Sequence, residues 1–332
     1  MVTPERLMQF TFGFAPPLVI EAAIRHGVFD KLDSGTRTVE QICTETRTSE
    51  RGMRMLLNAL VGLELLVKNA DGAFALTSES DTFLVRGKPS FHGAFFLLTS
   101  GRMLPGWRNL YEIVRTGRPA QQINLEHDGV PFFLQFVEDI FSIHYPAARR
   151  VAEVLDVSKT SMPLSVLDLA AGSGVWSIAL AQQSPLVRAT AVDWPGVIPI
   201  TRRVTERVGV ADRFQFVAGD LLEESFGDGH AIATLGHILH SEGEARSRRL
   251  LTKTYDALTP GGTIVIAEIL VNADHTAPLP ALLFALNMLV NSDQGDTFSL
   301  GEISGWLSDA GYRNIRTVEA PGLAPLIILA TK

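Results

Sequence analysis

The chain holds one cysteine, Cys43, in 332 residues. No intrachain disulfide can form, and no thiolate cluster is present to hold zinc or an iron–sulfur centre, which points to a cytoplasmic setting. Positive charge is also in short supply: 29 Lys and Arg face 36 Asp and Glu, for a net charge of -7. A protein whose main partner is a nucleic acid needs a basic patch to displace counterions, so no nucleic acid partner is expected. The opening residues MVTPERLMQF lack a basic segment ahead of an apolar core. No apolar run reads as approaching the roughly 18 residues that span a bilayer, so neither secretion nor a membrane partner is expected. Internal repeats, charge runs and low-complexity tracts are missing too.

What remains is an ordinary globular composition, 46% hydrophobic, sufficient for packed cores in about two domains of roughly 150 residues each. From Pro4 to His26, Leu7, Met8, Phe12, Leu18, Ile20, Ala23 and Ile24 recur at helical spacing and predict two helices broken at Pro16 and Pro17. Thr38 can cap one further helix and Ser49 another, with Met53, Leu56, Leu57, Leu60 and Leu63 on one face. Asp71-Gly72 then marks a hairpin. Helices followed by a two-stranded wing form a winged-helix unit, which binds DNA or dimerises. Arg47, Arg51 and Arg54 are its only basic cluster, so dimerisation is the expectation. Two apolar, Phe-rich helices follow, FHGAFFLLTSGRMLPGWRNLYEIV and PFFLQFVEDIFSIHYPAARRVAEVL. Some of their rings are expected to face a flat apolar ligand.

From Ser165 the pattern changes to strands alternating with helices, the mark of a parallel sheet. Strands are predicted at 166–169, 188–192, 214–217, 232–235, 263–269, 315–319 and 326–330. In VLDLAAGSGVWSIALAQ a strand carrying Asp168 runs through a small-residue loop into a helix, where backbone N–H groups and glycines favour a nucleotide-like ligand. A second strand ends at Asp193, placed to take both ribose hydroxyls, and Asp220 follows a third. Any one of these aspartates reads as a turn or cap residue; three at successive strand ends point to a cofactor.

These motifs resemble the class I S-adenosylmethionine-dependent methyltransferases. More narrowly, nearly the whole chain resembles the small-molecule O-methyltransferases that pair a winged-helix dimerisation domain with a catalytic domain, as in plant caffeate and isoflavone enzymes and bacterial polyketide-tailoring enzymes. The resemblance implies an α/β fold with a mostly parallel seven-stranded sheet behind a mainly helical domain. It divides the chain into a dimerisation domain at 1–100, a helical linker with substrate-pocket helices at 101–156 and the cofactor domain at 157–332. It also implies S-adenosylmethionine as cofactor, a homodimer and a small aromatic substrate. By position, Asp168, Gly172 and Gly174 would surround the methionine part, Asp193 would bind the ribose, Asp220 and Leu221 the adenine, and Trp194 is a further cofactor contact. His240 falls in the place of the family's general base, and Glu268 in that of its first flanking carboxylate.

Departures accompany these matches. Ala170 and Ala171 replace the first two glycines of the loop, Gly236 stands where many members carry lysine, and the second flanking glutamate falls at Thr297, beside Asp296. Taking a proton from a phenol with an ordinary imidazole is uphill by roughly 5 kcal/mol, so a carboxylate that stabilises imidazolium assists. A metal site of His240, His237 and a carboxylate is not adopted, because the two histidines need not converge in a strand-to-loop segment. Phe133, Phe136, His144 and Tyr145 on one helix, and Phe284, Asn287, Met288 and Asn291 on another, are the expected substrate contacts. Two alternatives stay open: a carbon or nitrogen acceptor or a non-methylating relative, and a winged-helix regulator that senses a ligand.

Overall fold

Aliphatic and β-branched runs from residue 164 onward pair into one seven-stranded sheet in the computed structural model, which describes residues 2–332 apart from the Gln135 side chain. After the hairpin strands β1 (Leu66–Lys68) and β2 (Phe74–Leu76), the sheet comprises β3 (Leu164–Leu169), β4 (Val187–Asp193), β5 (Phe214–Ala218), β6 (His230–Gly236), β7 (Leu258–Ala267), β8 (Arg313–Glu319) and β9 (Leu326–Thr331). Their order is β5-β4-β3-β6-β7-β9-β8. Only β9 runs antiparallel to its neighbours among these pairings. The order reverses between β3 and β6, and there the carboxyl ends of the strands leave a crevice for a ligand.

The pleat of β3 sends Val166 into one core and Leu167 and Leu169 into another, so both faces of the sheet are covered. The helix Val175–Gln183, which follows the glycine loop, is buried along Val175–Ala181 and joins the core that holds Val166. Asp168 lies on that same face of β3.

The chain forms two compact units, one running to Pro105 and one from Gly106 to Lys332. In the first, Thr38 and Gln41 make a reciprocal capping box for Val39–Thr46, and Ser49 caps Glu50–Gly62. Met53, Leu57 and Leu60 pack with Ile24, Phe29 and Phe74.

Several expectations need correction. Pro16 and Pro17 open the helix Ala15–Arg25, where a missing N–H costs nothing, and the break before it is the 3-10 turn Phe10–Phe12. Together with Glu5–Gln9 these pieces give 21 residues, Glu5–Arg25, that are long and apolar enough to cross a bilayer by length and composition, contrary to the sequence reading. The first Phe-rich stretch is no single helix: it divides into Gly93–Leu98, Thr99–Met103, Leu104–Trp107 and Leu110–Thr116. The second is two helices, Glu126–Asp139 and Phe141–Val154, separated at Ile140, although the apolar period runs across the break. The helix Leu239–Ala257 is interrupted by Gly243 at φ 72°, so His240 stands in a helical first turn.

Candidate active site

The loop after β3 turns through three left-handed positions, Ala170 (φ 51°), Gly172 (φ 56°) and Gly174 (φ 76°). Alanine at the first carries a cost of roughly 1–2 kcal/mol that glycine would avoid. Two carboxylates hold this loop. Asp168 is wholly buried and accepts from Ser177 Oγ, from Ser177 N at 3.3 Å and from Thr234 Oγ1 at 2.7 Å. Burial pushes its carboxyl up to about 6 against those bonds. Asp193, the last residue of β4, accepts from Gly172 N and Trp194 N, each at 2.7 Å, and burial likewise pushes it up to about 6. Its side chain is partly exposed, and two donors leave about half of a carboxylate's lone-pair positions open.

Beyond β5, Leu221 is buried and Asp220 accepts from Leu222 N at 2.8 Å. Arg246 Nη2 binds both Asp220 oxygens, at 2.9 and 3.2 Å, while its Nε donates to Glu242 at 2.5 Å. The Glu242 carboxyl is raised by burial despite that partner. The Asp220 side chain stays 38% exposed, so this pairing leaves it accessible to a ligand.

His240 and Glu268 meet at the carboxyl ends of β6 and β7. Glu268 Oε2 lies 2.7 Å from His240 Nδ1, and Oε1 accepts from Leu239 N at 2.7 Å and His240 N at 3.3 Å. Glu268 is 2% exposed. Burial alone would raise its carboxyl; the charge and hydrogen bond of His240 outweigh burial and hold it below the usual range. Phe284 sets its ring edge-on to His240, with centroids 4.9 Å apart.

His237 was weighed in the sequence only as an unlikely metal ligand, yet it belongs to this cluster. Its backbone is left-handed at φ 60°, tied by its N–H to Ala267 O at 2.8 Å. The ring centroid lies 4.3 Å from that of His144 and 6.3 Å from that of His240. Burial, then His144, keeps its imidazole well below the ordinary pKa and therefore neutral, and its buried Nε2 has no hydrogen-bond partner among the described residues. Donor atoms of His237, His240 and Glu268 lie within 4.8 Å of one another. The two histidines thus converge, contrary to the spacing argument.

The loop 295–297 runs along the main chain of His240, with Asp296 N donating to His240 O at 2.9 Å. Asp296 is exposed and turns its carboxylate back to Thr297 N, whereas Thr297 is 1% exposed and its Oγ1 has no partner among the described residues. Gly236 has a structural cause: a Cβ there would lie 1.9 Å from Trp176 Nε1.

The expected substrate residues separate into groups. His144 and Phe284 border the histidine cluster. Phe133 sets its ring against Trp194 at 5.8 Å, and Val137 of the same helix covers Gly172. Phe136 packs on Phe132. Tyr145 donates to Gln182 at 2.5 Å, and Met288 is core. Asn287 Oδ1 accepts from Trp107 Nε1 at 3.2 Å and from Asn291 Nδ2 at 3.1 Å, so these two amides are engaged within the protein.

Comparisons with known proteins span both units of the chain. Residues 107–313 match the O-methyltransferase domain family, and residues 8–86 match the O-methyltransferase dimerisation domain. The chain is 30% identical to a 3-hydroxy-5-methyl-1-naphthoate 3-O-methyltransferase of Streptomyces sahachiroi over 96% of this chain and 93% of that one. It superimposes on a candidate O-methyltransferase of Nostoc punctiforme with a TM-score of 0.90 at 29% identity, over 100% of both chains. Human N-acetylserotonin methyltransferase, solved with S-adenosylmethionine, gives 0.83 at 25% identity, over 100% of this chain and 98% of that one.

Proposed function

Because this chain belongs to the O-methyltransferase family, we propose that it methylates a hydroxyl of an aromatic, polyketide-like small molecule with S-adenosylmethionine, using His240 as general base. The observation that carries this reading is the 2.7 Å contact of His240 Nδ1 with a buried, ionised Glu268. That contact fixes the tautomer and leaves Nε2 as the nitrogen that takes the proton. The naphthoate enzyme of Streptomyces supports the aromatic class of acceptor.

The residues fit the cofactor. Asp193 keeps lone pairs for a ribose diol next to Trp194, and Gly172 and Gly174 shape the loop for the methionine part, with Asp168 holding it from beneath. Asp220 and Leu221 would take the adenine, and the Asp220 carboxylate stays partly open beside Arg246. When bound, S-adenosylmethionine supplies a methyl carbon made electrophilic by sulfonium. His240 would take the proton of the acceptor hydroxyl, and Glu268 would stabilise the imidazolium so formed. Attack by an oxyanion on a cation cancels charge, which a dry pocket favours. His144, Phe284, Phe133 and Phe136 would bound the acceptor; Tyr145, Asn287, Met288 and Asn291 would support those walls.

We assign the domains as a dimerisation domain at 1–100, pocket helices at 101–156 and a cofactor domain at 157–332. The protein would act as a homodimer in the cytoplasm. Incubation with methyl-labelled cofactor and a panel of phenols and polyketides tests the reaction: label on oxygen is expected, and label on carbon or nitrogen overturns it.

A further inference from the structure

A buried imidazole nitrogen without a hydrogen-bond partner is costly, at about 1–3 kcal/mol, and such a group in a native structure calls for an explanation, a catalytic role among them. His237 Nε2 is one, and it belongs to the same cluster as the base. The loop that would carry a second carboxylate beside the base offers only the buried hydroxyl of Thr297 and the exposed, self-bonded Asp296. The cluster therefore has one carboxylate and one spare imidazole.

Resting on the O-methylation reading, we propose that His237 is a second catalytic histidine, which donates Nε2–H to the acceptor oxygen while His240 removes the proton from that oxygen. The distances allow this. The two ring centroids lie 6.3 Å apart, close enough for one oxygen between the rings to sit at hydrogen-bond distance from a nitrogen of each. The left-handed backbone at φ 60°, unusual for histidine, and the bond from its N–H to Ala267 O fix where the ring starts. The 4.3 Å contact with His144 packs the ring in place.

The neutral state suits this role. A neutral imidazole donates to a developing phenolate without surrendering its own proton, so it stabilises negative charge on oxygen without competing with His240. The transferred proton goes to His240, the oxygen electron pair forms the bond to the methyl carbon, and the carbon–sulfur pair returns to sulfur. His237 ends the step as it began.

The test uses 4-nitrophenol, whose absorbance reports ionisation, bound to the full-length enzyme with S-adenosylhomocysteine. Wild type is expected to bind the phenolate. In His237→Leu the ratio of bound phenolate to phenol should fall about tenfold or more, and methylation of 4-nitrophenol should slow by a similar factor, as loss of one hydrogen bond to a charged oxygen predicts. The KM for S-adenosylmethionine should stay within about twofold. His237→Gln, which keeps an N–H near the Nε2 position, should recover most of both, and His237→Asn, with shorter reach, replaces the leucine variant should that one misfold.

Unchanged ionisation and rate in His237→Leu would overturn the proposal, as would a wild type that binds the phenol only in neutral form. Label on oxygen with an indifferent His237→Leu defeats this inference alone, whereas label on carbon or nitrogen defeats the O-methylation reading. The competing occupant of the three donors is a divalent cation. Full activity after exhaustive chelation supports the hydrogen-bond role, and loss of activity that zinc restores overturns it.

Discussion

Glu268 binds His240 twice: one carboxylate oxygen meets the imidazole Nδ1 at 2.7 Å, and the other accepts the backbone N–H groups of Leu239 and His240. A single side chain therefore sets both the tautomer of the base and the first turn of the helix that presents it. Glutamine separates these roles, since its oxygen keeps the backbone bonds while the charge is lost. Glu268→Gln is expected to lower kcat by about 10- to 100-fold with a melting temperature near wild type. Glu268→Ala should also lower the melting temperature by several degrees, because two buried N–H groups lose their acceptor. Equal melting temperatures for the two variants would count against the capping role.

Removing the base itself leaves the cofactor chemistry in place. His240→Ala is expected to retain slow transfer, about 10²- to 10⁴-fold below wild type, the usual contribution of one positioned base. Calorimetric affinity for S-adenosylhomocysteine should be unchanged. Loss of cofactor binding in this variant would assign His240 to the cofactor site instead.

Cofactor affinity should depend on pH through Asp193. Its carboxyl is pushed up to about 6 by burial, so above that pH it is ionised and accepts from ribose hydroxyls, and below it protonation removes acceptor capacity. Affinity for S-adenosylhomocysteine is therefore expected to be level from pH 7 to 8 and to fall on acidification through pH 6, by at most about tenfold per pH unit. The raised value has the opposite consequence for folding. The native state binds protons more readily than the unfolded chain between the ordinary carboxyl pKa and about 6, so Asp193 costs stability above that window and less within it. In Asp193→Asn the affinity should be about 10- to 100-fold weaker and change less near pH 6, where Asp168 still titrates; titration calorimetry across pH 5–8 decides.

The first unit leaves Phe10, Phe12 and Phe14 exposed at 65, 69 and 55%. Three large rings in one short segment are more apolar surface than a lone chain normally leaves in water, and a second copy would cover them. Phe12→Glu combined with Phe14→Glu is expected to shift the protein from dimer to monomer in sedimentation or light scattering. An unchanged dimer would place the contact elsewhere.

Much of the cofactor half was legible in the sequence because parallel strands buried on both faces read as nearly continuous apolar runs. Val166–Leu169 and Ile232–Leu235 were located this way, within one or two residues at each edge. The placement of candidate residues was legible where it follows from position on a strand, as for Asp193 at the end of β4. Relationships made by folding were not. Nothing local announces that Arg246 would bind an aspartate 26 positions earlier, that His237 would face His144, or that Trp176 would fill the space above Gly236. The broken helices between residues 93 and 140 were missed because apolar period persists where backbone hydrogen bonding does not.

That last contact also restricts how this protein can change. Trp176 and Gly236 are complementary: the indole occupies the volume that any side chain at 236 would need. Lysine introduced at 236 alone should prevent folding, and shrinking Trp176 alone should leave a hole about the size of an indole in the core, so neither step is tolerated singly. The two positions form a coupled pair that has to be exchanged together.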